Sequence, residues 1–263
     1  MYTGFWFEFS ILLFAAILGS LAILPYSLRL LKESKKKKPL KIPFWMLVLL
    51  SVLQNTILFA VATGIGLLIA HQIGLGAPLL EAMRVGGLSQ TVMATILSAL
   101  IFGIGGGSFL LLLDLLFLPH FPEKLLTTSL KTTQWENFTA SFYGGINEEL
   151  FTRLLGLSLI AWLLSRIWHM ASGLPTASVF WIANILMAVI FALGHLPALK
   201  NLLGTITPLM FSRTIILNTP IGLLCGWIFW RYGIEAAIIT HFAADIVYHV
   251  GGTLVLRIKN PHQ

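Results

Sequence analysis

The sequence predicts an all-α, polytopic transmembrane bundle of about seven spans, with room for an eighth. Three observations carry this. Hydrophobic residues make up 57% of the 263 positions and charged residues only 10%, against roughly 25% charged residues in soluble domains. The mean hydropathy is +0.88. Several uninterrupted apolar runs reach the 20 or so residues that a bilayer core requires.

The spans follow in order. Phe5 to Leu31 is the first, and no basic residue precedes its apolar core, unlike the charged start of a cleavable signal peptide. Lys32 and Lys35 to Lys38, flanked by Arg29 and Lys41, follow it. Such a cluster beside a span reads as a cytoplasmic anchor that also meets anionic lipid, so the net charge of +7 does not point to nucleic acid. Pro43 to Ala70 is the second span. His71 to Gln90 is a polar-interrupted connection with Leu75, Leu79, Leu80 and Met83 at helical spacing, suited to the interface. Thr91 to Leu118 is the third, interrupted by Gly103, Gly105, Gly106 and Gly107. No Gly-Lys-Ser/Thr follows these glycines, which excludes a phosphate loop and leaves close helix packing or a kink.

Beyond the polar loop Pro119 to Gln134, Trp135 to Ser165 is the fourth span. Val179 to Leu196 is the fifth, ending at Pro197, and Phe211 to Trp230 is the sixth, with Gly222 and Gly226 at small-xxx-small spacing. Ile234 to Leu256 is the last. With the lysine cluster inside, thirteen basic residues fall on the inner side and three on the outer, as the positive-inside rule asks. Nothing divides the chain, which reads as one integral membrane domain over 1–263. The single Cys225 offers no disulfide.

The fourth span holds the residues that need explaining. Glu148, Glu149 and Arg153 fall within apolar flanks, where a charge at mid-membrane costs roughly 2.5–3.5 kcal/mol on insertion scales. Glu149 and Arg153 are four apart and so share a helical face as an ion pair. Glu148, turned about 100° away, needs a partner from another segment. Phe191 and His195 are likewise four apart on the fifth span. His241 and Asp245 repeat the spacing on the last, where Tyr248 and His249 continue the stripe. Lipid offers such groups no partners, so the stripes must face one another or water.

Three chemistries suit this set. A desolvated carboxylate can take a proton from water while imidazoles stabilise a tetrahedral oxyanion. Two histidines with carboxylates can hold a catalytic zinc, for which Glu148, His195, His241 and Asp245 are the candidate ligands. The same groups serve proton relay in transporters, although no inverted repeat is evident.

Glu148-Glu149 with Arg153, Phe191 to His195, and His241 to Asp245 match in order the EExxxR, FxxxH and HxxxN/D motifs of the CPBP proteins. This is the CAAX-protease and bacteriocin-processing family, also called abortive-infection proteins. The chain resembles that family over about 136–250, the segment expected to form its catalytic core. The resemblance implies an intramembrane endopeptidase acting on a peptide or protein tail, a CAAX-type or lipidated tail among them. By motif position Glu148 would be the general base with His195 beside it, and His241 and Asp245 would take the oxyanion-stabilising positions. Glu149 with Arg153 would be a supporting pair. The resemblance leaves a zinc-assisted mechanism open, as it does a non-catalytic scaffold or immunity role for the same fold. One departure stands out. Asn is the commoner residue at the last motif position, and an ionised Asp245 can only accept hydrogen bonds, so Asp245 is either protonated, part of a metal site or, as the i,i+4 spacing favours, there to orient His241.

Overall fold

The computed structural model describes residues 2–35, 43–87 and 90–259. Every regular element among them is helical, apart from a single bridge between His169 and Pro175. The helices are α1 (Phe5–Ala22), α2 (Leu24–Lys35), α3 (Phe44–Gln72), α4 (Pro78–Arg84), α5 (Gln90–Leu115), α6 (Glu123–Lys131), α7 (Gln134–Phe142), α8 (Ser158–Ser165), α9 (Ala177–Gly194), α10 (Leu196–Leu203), α11 (Pro208–Tyr232), α12 (Ile234–Asp245) and α13 (Gly252–Lys259). Lys36 to Lys38 and Lys41 of the expected anchor lie outside the described residues.

Among the described residues, six helices are long and apolar enough to cross a membrane: Phe5–Arg29, Trp45–Gln72, Val92–Leu115, Ala177–Leu203, Pro208–Tyr232 and Ile234–Ile258. The protein is an integral, multi-pass membrane protein. The fourth span expected from the sequence, Trp135 to Ser165, is not among these six and corresponds to the run 134–165. This run stays helical throughout, α7 and α8 being joined by two wider turns, Tyr143–Glu148 and Leu150–Leu157, that bond in the π pattern. It is long enough to cross, but Glu148, Glu149 and Arg153 remove it from any purely apolar count. It can carry them because it lies inside the bundle: Leu150, Leu154, Leu157 and Ala161 are at most 1% exposed.

Local chemistry fixes where this central run begins. Thr133 and Glu136 form a reciprocal cap, the Glu136 N–H donating to the Thr133 hydroxyl at 3.1 Å and the Thr133 N–H to Glu136 Oε2 at 2.8 Å. Arg29 Nε adds an ion pair to Glu136 Oε1 at 2.7 Å, which ties α2 to the same start.

Close packing around the run uses the glycines singled out from the sequence. On α5, a β-carbon at Gly103 would lie 2.7 Å from Ala243 Cβ and one at Gly107 2.9 Å from Val247 Cβ, so both glycines admit the α12 segment against α5. Gly105 meets nothing within 4 Å. Pro197, expected to end the fifth span, instead opens α10 in its first turn after a break at His195. Its missing N–H is one the start of a helix leaves unused anyway.

Candidate active site

The site is built where the widened turns 143–157 face the end of α12. Glu149 is fully buried, and its Oε1 receives two donors: Arg153 Nη1 at 2.9 Å and His241 Nδ1 at 2.7 Å. The pair predicted from i,i+4 spacing is therefore present, with a third member the spacing does not reveal. Arg153, itself 1% exposed, also donates to the Gly222 carbonyl at 3.1 Å and to the Thr152 hydroxyl. Its guanidinium lies 4.7 Å from the centre of the Phe191 ring.

Phe191 joins the two histidines. Its ring is edge-on to His195 at 4.7 Å and to His241 at 5.8 Å. Counting rise per residue places the two histidines at different depths, yet one aromatic ring touches both, since α9 breaks just where His195 stands. His195 Nδ1 donates to the Phe191 carbonyl at 2.9 Å. A carbonyl can only accept, so the proton is on Nδ1 and the Nε2 lone pair is left free.

Asp245 occupies the other side of His241. Its Oδ1 is 3.6 Å from His241 Nε2 and 3.8 Å from His249 Nε2. Both separations exceed hydrogen-bond length, so Asp245 acts on the imidazoles through its charge. The hydrogen bond that orients His241, assigned to Asp245 from spacing, is made by Glu149. Gly144 makes room for Asp245, because a β-carbon there would collide with Asp245 Oδ2 and sit 3.7 Å from His241 Nε2. His249, on the same stripe, is half exposed.

Glu148 is half-buried on the same turn. Among the described residues its carboxylate has no hydrogen-bond or ion-pair partner, although it lies within electrostatic reach of His241 and Tyr143. Its backbone carbonyl accepts from the Thr152 hydroxyl at 2.5 Å. The neighbouring Asn147 points the opposite way, donating to the Ala16 carbonyl and to Ser20, each at 2.9 Å, which anchors the turn to α1.

The expected zinc ligands can be tested against this geometry. Among the described residues, the one group of three ligand atoms within 4.8 Å of one another belongs to Glu149, Cys225 and His241, not to Glu148, His195, His241 and Asp245. That triad suits zinc poorly. The Glu149 oxygen and His241 Nδ1 that face each other are already bonded at 2.7 Å, and Arg153 stands 2.9 Å from the same oxygen. Cys225 is completely buried, where a thiolate is expensive. One feature favours an additional donor, since Glu149 Oε2 is buried with no hydrogen-bond partner.

Two groups that sequence reasoning passed over adjoin the site. Cys225 packs in a small buried cluster with Leu110, Phe191, Ile221 and Ala244. Asp114 pairs with Arg213 through bonds of 2.6 and 2.7 Å and accepts from the Tyr248 hydroxyl at 2.8 Å. Only polarity at span positions marked these residues, and polarity alone does not say which partner each will meet.

No curated protein and no solved structure matches the chain. One family model does, over residues 131–247, a range that contains every motif residue described above. Over that segment the chain is similar to the family described as type II CAAX prenyl endopeptidase, Rce1-like.

Proposed function

We propose that the protein is an intramembrane endopeptidase that hydrolyses a peptide bond in a protein or peptide tail of CAAX or lipidated type, with Glu148 activating the water. The observation that carries this reading is the contrast within the cluster. Glu149, Arg153, His241 and Asp245 all have charged neighbours within 4 Å, whereas the adjacent Glu148 has no hydrogen-bond or ion-pair partner among the described residues, in a setting where a charge is expensive. A carboxylate so placed is a base awaiting a proton donor.

In the proposed reaction Glu148 takes a proton from water and the oxygen attacks the scissile carbonyl carbon. The resulting oxyanion accepts a hydrogen bond from His241, and Glu148 returns its proton to the departing amine nitrogen as the C–N bond breaks. His195 Nε2, free to accept, orients the water. Because His241 Nδ1–H is engaged by Glu149, donation from Nε2 to an oxyanion uses the doubly protonated ring, whose charge Glu149 and Asp245 flank. Arg153 holds Glu149 in place through the ion pair at 2.9 Å. Zinc has no step in this scheme.

The test is cleavage of a CAAX-type peptide library by the full chain in liposomes, with and without a strong zinc chelator. Glu148→Gln should lower the rate about 10²–10⁴-fold, the usual worth of a positioned general base, and leave the melting temperature unchanged. Cleavage should persist in chelator. Activity lost in chelator and restored by zinc would replace the glutamate scheme with a metal one. A Glu148→Gln protein that retains its cellular role would establish a scaffold instead.

A further inference from the structure

Tyr143 and Glu148 are the first and last residues of the wider turn that follows α7. On an α-helix, residues five apart point about 140° away from each other. A π turn bonds residues five apart instead, which brings Tyr143 onto the same side of the run as Glu148. The two glycines after Tyr143 let this turn lie directly on α12, since a β-carbon at Gly145 would stand 2.8 Å from Phe242 Cβ.

The Tyr143 ring is held by packing. It lies against the buried core, edge-on to Phe59 of α3 with centroids 6.4 Å apart and planes at 83°. Its hydroxyl is within electrostatic reach of Glu148, yet among the described residues it makes no hydrogen bond. Two other tyrosines behave differently. Tyr2 and Tyr248 close directly on a carboxylate, donating to Glu8 Oε2 at 2.6 Å and to Asp114 Oδ2 at 2.8 Å.

An aromatic anchor at the membrane surface would explain a tyrosine whose hydroxyl is hydrated. That does not account for Tyr143, because the whole of α7 separates it from the cap at Thr133 where the run begins. Tyr143 and Glu148 are both half-buried, and neither polar end is among the sealed, unpartnered atoms of the interior. A donor and an acceptor therefore share one side of the run, open to a small molecule and farther apart than one hydrogen bond spans. Polar groups at such a separation are joined by a bridging water.

We propose that Tyr143 is a further catalytic residue, its hydroxyl donating a hydrogen bond to the oxygen of the attacking water while Glu148 and His195 Nε2 accept from the two hydrogens. This assignment rests on the peptidase reading above. Two acceptors direct the hydrogens of a water but leave its two lone pairs equivalent. The Tyr143 donor occupies one, so only the other faces the scissile carbonyl carbon. As that lone pair forms the C–O bond, one hydrogen passes to Glu148 as a proton. Tyr143 keeps its own and stays bonded to the new hydroxyl oxygen of the tetrahedral intermediate. When the C–N bond breaks and Glu148 returns its proton to the amine, the same oxygen leaves in the product carboxyl group. Orientation of this kind is the contribution that a misplacement of about 1 Å can cut by about 10²-fold.

The experiment measures kcat and KM on quenched CAAX-type peptides with the full chain in liposomes. Tyr143→Phe keeps the ring against Phe59 and removes only the hydroxyl oxygen. It should lower kcat about 10²-fold with KM and melting temperature unchanged. Added to Glu148→Gln it should cost no further factor, because both groups act on one water, whereas a merely structural tyrosine would give losses that multiply. Tyr143→Leu, which also removes the ring, should lower the melting temperature as well as kcat and so separates packing from the hydroxyl. Wild-type cleavage by Tyr143→Phe where Glu148→Gln is impaired, or multiplying losses in the double variant, would overturn the assignment and leave the peptidase reading standing. Cleavage retained by Glu148→Gln, or none by the wild type, would overturn the peptidase reading and this assignment with it.

Discussion

Two charged networks meet near the end of α12: one joins Arg153 and Glu149 of the central run to His241, and the other joins Arg213, Asp114 and Tyr248 from three segments. In the first, Arg153, Glu149 and His241 have side chains at most 5% exposed, and both donors crowd onto a single Glu149 oxygen while the other has none. In the second, Arg213 and Asp114 are 13 and 14% exposed, the pair is bidentate, and Tyr248 bonds to both members. The second network is satisfied and serves as a brace between α5, α11 and the turn after Asp245. The first is under-satisfied, and it is the one that holds a histidine between two carboxylates beside the unpaired Glu148. Satisfaction marks a mechanical role, and its absence, where burial makes it expensive, marks a chemical one.

Breaking the enclosed network should have the largest effect. Arg153→Met removes one partner of a buried ion pair, leaving Glu149 to His241 alone among the described residues, and should destabilise the protein by about 3–5 kcal/mol, read as a lowered melting temperature in detergent. A stable Arg153→Met protein would mean that Glu149 is not ionised there and that the two networks differ less than their geometry implies. Asp114→Asn removes the charge from the brace but keeps its shape. It should cost about 1.5–3 kcal/mol, the worth of hydrogen bonds to a charged group, and the Arg153→Met loss should exceed it.

Gly144→Ala probes how tightly the two parts are fitted. Its β-carbon meets Asp245, so overpacking should cost about 1–3 kcal/mol, and cleavage should fall more than stability alone explains because Asp245 must move from His241. An alanine that leaves cleavage intact would remove Asp245 from the working geometry. The smallest effect belongs to Tyr248→Phe, which deletes one hydroxyl from the brace and should cost about 1 kcal/mol. A kcat loss with unchanged KM in that variant would show that the brace also positions Asp245, three residues away on the same turn.

The legible parts of the site were the intrahelical ones. Glu149 with Arg153 follows from four-residue spacing, as does the nearness of His241 to Asp245. Contacts between segments followed no such rule. Glu149 and His241 are 92 positions apart, and Tyr248 and Asp114 are 134 apart. The small-residue spacing on α5 announced close packing without naming α12 as the helix that fills it. The π turns at 143–157 were also illegible, because their extra residue per turn is imposed by what the helix must pack against.

By itself the sequence determined the solvent. A chain this apolar can satisfy its backbone in lipid only as helices, and charges inside such helices must be gathered inward. It also determined which residues would be gathered, through order and periodicity. Tertiary structure decided how they are partnered across segments: Glu149, spaced along its own helix to meet Arg153, also takes His241 from α12. Pairing depends on distances between helices, set by close packing of side chains that no single helix contains.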